Sequence, residues 1–289
     1  MLWIAAARPR TLLLSLAPVL AGIGLALAQG HALALFTALG TLVAAVAIQV
    51  GTNLHNDAAD FERGTDTPDR LGPPRASAQG WFSPAQVRTA AHLAFGLAFL
   101  LGLVLVIRGG WPILALGLAA IACGYAYTSG PRPIAYGPFG EIYVLAFFGI
   151  ASVVGSHYLQ TLGFDRSALL LGVALGLPAA AVLLLNNYRD LETDRIAGRR
   201  TLCQVLGRPR SRILYAVLLA APLPLILAAG LPGPTWLSLA ALPLGLHLIV
   251  RLFGGAMGPE LNPLLGRTAQ YQALIAGLVL VAFALAAPP

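Results

Sequence analysis

The chain has 289 residues, of which 58% are hydrophobic and only 10% charged, with a mean hydropathy of +0.79. A soluble domain carries about 25% charged residues, so this composition excludes a soluble globule and points to a polytopic membrane protein. All 18 basic residues are Arg, against 11 acidic ones, for a net charge of +7; in such a chain the excess marks cytoplasmic loops rather than nucleic-acid binding.

A spanning helix needs about 20 mostly apolar residues. Nine such stretches are predicted, near Thr11–Gln29, Leu33–Thr52, Thr89–Ile107, Trp111–Thr128, Glu141–Thr161, Ser167–Leu185, Ile213–Gly230, Thr235–Val250 and Tyr271–Ala287. Met1–Arg10 is short and the run after it is long enough to span, so that run reads as a helix rather than a cleavable signal. With the N-terminus in the cytoplasm, nine helices put 16 of the 18 Arg on the inner side and leave Arg108 and Arg166 outside, as the positive-inside rule requires. Trp3, Trp81 and Trp111 fall near helix ends and fit an interfacial belt. Cys123 and Cys203 are too few and too separated for a disulfide framework or a zinc site.

Eight of the 11 acidic residues fall in two clusters: Asp57, Asp60, Glu62, Asp66 and Asp69, then Asp190, Glu192 and Asp194. Both repeat one pattern, Asn53-x-x-x-Asp57 with Asp60-x-x-x-Gly64, and Asn186-x-x-x-Asp190 with Asp194-x-x-x-Gly198. Four predicted helices separate them, so both lie on the cytoplasmic face. The implied architecture is all-α: two four-helix halves plus a ninth helix, in a single domain over residues 1–289.

If the second helix runs on past the membrane edge, Asn53, Asn56, Asp57 and Asp60 share one face by i, i+3, i+4 spacing. Asp190 and Asp194 share a face in the same way, with Asn186 and Asn187 one turn earlier. As ordinary charged loops these would be surface ion pairs of little worth. Two clusters on one face argue for a common role. Like carboxylates 4 Å apart repel by about 4 kcal/mol at an effective dielectric near 20, and a bound cation removes that cost. Carboxylate and amide oxygens suit Mg²⁺, which joins one or two carboxylates to substrate phosphates. Asp57, Asp60, Asp190 and Asp194, with Asn53 and Asn187, are therefore the candidate metal ligands. Arg63, Arg70, Arg75, Arg189 and Arg199 are candidates to grip phosphate oxygens. Together these describe a diphosphate–Mg²⁺ site whose apolar helices hold an apolar tail. A cation transporter is the competing class, but its sites usually sit near the bilayer midplane, where these spans carry no carboxylates.

The stretch Asn56-Asp57-x-x-Asp60 with Gly64-x-Asp66-x-x-Asp69-Arg70-x-Gly72-Pro73-x-Arg75 resembles the UbiA superfamily of intramembrane prenyltransferases. Within it, the 1,4-dihydroxy-2-naphthoate polyprenyltransferases of menaquinone synthesis are the most similar branch. Asn186-Asn187-x-Arg189-Asp190-x-x-x-Asp194-x-x-x-Gly198-x-Arg200-Thr201-Leu202 fits that branch. So do Tyr127-Thr128-x-Gly130-Pro131-x-Pro133-x-Ala135-Tyr136, Gly140-Glu141 and the opening Ala7-Arg8-Pro9-Arg10-Thr11-Leu12. The resemblance implies a Mg²⁺-dependent transfer of a polyprenyl chain from its diphosphate to the naphthoate, with loss of CO₂, at the cytoplasmic face of the cell membrane. It also implies catalytic roles for Asp57, Asp60, Asp66, Asp190 and Asp194. Tyr127, Arg132, Tyr136 and Glu141 are the candidate acceptor residues. Another acceptor, 4-hydroxybenzoate or homogentisate, is the alternative. The family usually carries Lys where this chain has Arg199, which turns a point charge into a planar fork.

Overall fold

The computed structural model describes residues 1–65 and 71–286. Asp66, Asp69 and Arg70, expected in the first acidic segment, lie outside the described residues. The described chain is helical: α1 (Leu2–Ala7), α2 (Pro9–Ala28), α3 (Leu35–Glu62), α4 (Pro84–Ala126), α5 (Gly140–Leu145), α6 (Ser152–Thr161), α7 (Arg166–Arg189), α8 (Leu191–Ile196), α9 (Leu202–Ala220), α10 (Pro222–Ala228), α11 (Leu242–Phe253) and α12 (Leu261–Ala286). A π-helical stretch, Ala146–Ala151, joins α5 to α6 in one span.

Among the described residues, eight segments are long and apolar enough to cross a bilayer, not the nine expected. The difference lies in α4, which absorbs the predicted third and fourth helices. A straight helix of its 43 residues would run about 65 Å, twice the roughly 30 Å of a hydrocarbon core. It is not straight. Its geometry breaks at Gly110. Beyond the break the chain doubles back, so that His92 Nδ1 bonds the Tyr125 hydroxyl at 2.7 Å and the Phe95 and Tyr125 rings lie 4.4 Å apart.

Other boundaries differ for local reasons. Helix α3 continues ten residues past the predicted end, because Asn53–Glu62 contains no Gly or Pro to stop it. Helices α9 and α12 begin about ten residues earlier than hydropathy suggests; the added stretches carry Arg208, Arg210 and Arg212 in α9, which breaks at Gly207, and Arg267 in α12. The second acidic motif is not one continuous helix. Arg189 ends α7, Asp190 has left helical geometry, and α8 starts afresh at Leu191.

Helix α7 runs through the main core, where Leu171, Leu175, Leu184 and Leu185 are fully buried beside Tyr215, Leu219, Ile275 and Val279 from α9 and α12. Lipid supplies no hydrophobic drive between helices, so close backbone approach and buried hydrogen bonds hold the bundle. Gln272 donates to the Leu175 carbonyl at 2.9 Å and the Tyr271 hydroxyl to that of Leu219 at 2.9 Å. At the end away from the acidic motifs, Asp165 caps α7 through the Ser167 and Ala168 amides and accepts from Gln29 of α2.

A close backbone approach joins the π-helical stretch to α7. A Cβ on Gly149 would sit 2.4 Å from the Gly176 Cα and 2.4 Å from the Gly172 carbonyl oxygen. Both are backbone atoms and cannot swing aside. Gly149→Ala should therefore cost about 2 kcal/mol of stability, read as a lower thermal midpoint of the detergent-solubilised protein. An unchanged midpoint would show that the two segments are not in contact.

Candidate active site

Both acidic motifs end on the same backbone device. After α3, Gly64 takes φ 70, and the Thr65 amide reaches back to the Asp60 carbonyl at 3.0 Å. After α8, Gly198 takes φ 71, and the Arg199 amide reaches the Asp194 carbonyl at 2.9 Å. A left-handed glycine followed by this six-to-one bond closes a helix with its last carbonyls satisfied. The repeat seen in sequence is thus a repeated helix terminus, and each copy ends beside an aspartate.

The two termini meet. The Arg199 guanidinium bonds Asp60 at 2.9 Å and Asp194 at 3.5 Å, so one side chain ties the first motif to the second. Arg75 meets the other oxygen of Asp60 at 2.6 Å. Asp60 is 1% exposed. Asp57 is as deeply buried but is bonded differently, its two oxygens accepting the backbone amides of Ala76 at 2.7 Å and Ser77 at 3.0 Å. Those bonds fix the turn that carries Arg75 towards Asp60. Tyr136 lies beneath two cations, Arg199 at 4.6 Å and Arg63 at 5.2 Å from the ring centre.

A second group borders the first. Arg189 is buried and bonds Asp190 at 2.6 Å, Asn186 at 2.9 Å and Asn262 at 2.8 Å. Asn262, from the first turn of α12, in turn donates to the Leu71 carbonyl of the first motif's loop at 2.9 Å. Asn187 donates to the buried Glu141 at 2.9 Å. Burial, with the Glu141 charge, pushes the Tyr127 phenol well above its usual range, so it stays neutral. Asn53 turns its amide towards the Ala7 carbonyl at 3.1 Å and the Thr11 hydroxyl at 3.0 Å.

Arg132 is not brought into this assembly; it is exposed on the loop after α4. Asn262 and Arg8 were not expected from sequence. Asn262 sits outside every recognisable motif, and nothing local marks it. Arg8 lay inside a matching stretch, but its role needed the fold.

Beside Arg75 opens a cavity of about 400 Å³. Its polar end is formed by Arg8, Asn53, Asn56, Arg75, Tyr127 and Asn186, and its depth by apolar residues such as Leu105, Ile113, Phe147, Phe148 and Leu159. The arrangement suits an amphiphile with an anionic head and a long hydrocarbon tail.

The donor set fits a hard cation. It offers carboxylates and amides with no sulfur or imidazole among them, and the buried Asn56 Oδ1 has no hydrogen-bond partner among the described residues. No three acidic, His or Cys side chains form a ready cluster among the described residues. Arg75 and Arg199, by pairing with Asp60, keep the carboxylates from crowding.

The chain belongs to the UbiA prenyltransferase family, which matches residues 15–257. A Mycobacterium tuberculosis protein named 1,4-dihydroxy-2-naphthoate octaprenyltransferase is 40% identical over 286 residues, covering 98% of this chain and 94% of its own. The Escherichia coli protein of the same name is 37% identical, covering 96% of this chain and 93% of its own. Among solved structures, an apo UbiA homologue from Aeropyrum pernix shares the fold at a TM-score of 0.74 and 17% identity, over 95% of this chain and 98% of that one. A UbiA homologue from Archaeoglobus fulgidus, solved with GPP and Mg²⁺, has a TM-score of 0.62 at 16% identity, over 96% of this chain and 99% of that one.

Burial lifts the Asp194 carboxyl to about 6 from an ordinary 3.8; Arg199 opposes this, and the nearby Asp190 and Asp60 charges add to it. The sign follows from proton counting. Between pH 3.8 and about 6 the folded state binds the proton more tightly than the unfolded chain, so stability falls as pH rises through that window. In chelator, the thermal midpoint of the wild type should drop across this range relative to Asp194→Asn. Parallel curves for the two proteins would contradict the assignment.

Proposed function

We propose that this protein transfers a polyprenyl chain from its diphosphate to 1,4-dihydroxy-2-naphthoate, releasing diphosphate and CO₂, at the cytoplasmic face of a membrane. The observation that carries the reading is a largely apolar cavity whose polar end is lined by Asn56, Arg75 and Asn186 of the two motifs, with Arg75 bonded to the Asp60 that Arg199 links to Asp194. A prenyl tail matches the depth and a diphosphate matches the charged end. The names of the full-length relatives support the naphthoate as acceptor.

The residues divide the work. Arg75 and Arg199 offer guanidinium forks to the phosphate oxygens, where charge grows as the carbon–oxygen bond breaks. Interactions that strengthen with that charge lower the barrier rather than merely binding substrate. Asp57, Asp60, Asp190 and Asp194, with the nearby Asn oxygens, would hold Mg²⁺, which when bound neutralises the departing diphosphate. Tyr127, Asn186 and Phe147 line the place where the allylic carbon and the acceptor ring would meet. The surrounding apolar wall keeps water from that carbon. Asp57 also fixes the turn that aims Arg75. The Arg bias of the loops supports a cytoplasmic site.

The test is a panel. Purified protein with labelled polyprenyl diphosphate and Mg²⁺ is given the naphthoate, 4-hydroxybenzoate or homogentisate. The naphthoate should be prenylated and the others at least a hundredfold more slowly. Asp190→Ala should insert normally and lose at least a hundredfold in turnover. Equal use of 4-hydroxybenzoate, or near-normal turnover in the variant, would overturn the acceptor or the site assignment respectively.

A further inference from the structure

A second cavity, of about 330 Å³, shares no lining residue with the first. It lies between the early turns of α2 and α12. Leu13 borders it from α2, and Asn262, Pro263, Gly266, Arg267 and Gln270 border it from α12. Those five positions follow three- and four-residue spacing, so they share one helix face. The space beside them is open, since a Cβ on Gly266 would meet nothing within 4 Å. Asn262 also bonds Arg189 of the second acidic motif, which places this cavity at the same end of the bundle as the motifs.

Its rim joins charge to hydrocarbon. Arg267 donates to His247 Nε2 of α11 at 3.0 Å, which uses one of its five N–H donors and holds the guanidinium at the cavity. No carboxylate is among the described residues that line the space, and Glu260 lies ahead of α12. Asn262 and Gln270 bring amide groups to the same rim. Beyond this polar patch the surface turns apolar. Leu13 and Leu20 of α2, seven residues apart, are exposed, as is Leu274 of α12, seven residues after Arg267. Seven residues make about two turns, so these side chains continue the same seam. The two helices stay side by side along it, with Gly24 of α2 against the Leu280 side chain of α12.

We propose that this cavity holds the phosphate headgroup of an anionic phospholipid. A guanidinium at the border of the hydrocarbon is costly without a partner, and a lipid phosphate supplies one through charge-assisted bonds. Basic pockets between membrane helices recognise such headgroups. The acyl chains would lie along Leu20 and Leu274. A zwitterionic lipid fits less well, because its ammonium group repels Arg267. Free phosphate shares the head chemistry but gains nothing from the apolar seam. The site is separate from the prenyl-transfer reading above and does not depend on it.

The experiment titrates protein in a neutral detergent with dioctanoyl-phosphatidylglycerol, dioctanoyl-phosphatidylcholine or inorganic phosphate, and follows the thermal midpoint. The anionic lipid should raise the wild-type midpoint by at least about 3 °C at a concentration where the other two raise it by less than about 1 °C. Arg267→Gln should cut the phosphatidylglycerol shift to that of phosphatidylcholine. Gly266→Leu, which fills the cavity and leaves every charge in place, should do the same, and it reads the site even if Arg267→Gln does not fold. An equal shift from phosphatidylcholine, or an undiminished phosphatidylglycerol shift in either variant, would overturn the proposal. An equal shift from inorganic phosphate would assign the cavity to a free anion and overturn it too.

Discussion

One guanidinium shared by two aspartates holds this site together. Arg199 sits between Asp60 of α3 and Asp194 of α8, and those residues are 134 positions apart in a chain that crosses the membrane repeatedly between them. Removing one partner from a buried ion pair costs about 3–5 kcal/mol, because the remaining charge stays desolvated. Asp60, nearly sealed from solvent and bonded to Arg75 as well, cannot give up either cation cheaply. Within the family the usual Lys would supply a point charge here; the Arg fork reaches both carboxylates at once.

The rest of the site is built outward from that bridge. Asp57 fixes the turn that delivers Arg75. Arg189 and Asn262 join the second motif to the loop of the first. Tyr136 lies against Arg63 and Arg199. Asn56, Arg75 and Asn186 bring this group to the polar end of the cavity, and the rest of its wall is mostly apolar. This division suits a substrate with a charged head and an oily tail, and it keeps the reacting carbon away from bulk water.

Much of this was legible in the sequence because membrane constraints are severe. Apolar runs had to be helices, and scarce carboxylates gathered in two matching clusters could not be incidental. The matched glycines, Gly64 and Gly198, proved to be matched helix ends. What the sequence hid depended on three-dimensional choice. The break at Asp190 falls within a spacing that also suits a continuous helix. The oxygens of Asp57 also accept loop amides, a partnership that no spacing encodes. Asn262 and Arg8 act across elements, and only the packed bundle brings them in.

The central claim is that the two motifs form a single binding site for the prenyl diphosphate head. A double-mutant cycle tests it most directly. Equilibrium binding of labelled polyprenyl diphosphate in Mg²⁺ would be measured for wild type, Asp60→Asn, Asp194→Asn and the double variant. If both aspartates serve one site, the double variant should bind little worse than the weaker single variant, because contacting residues couple. Losses that simply add would mean that the motifs act independently, and the account would fall.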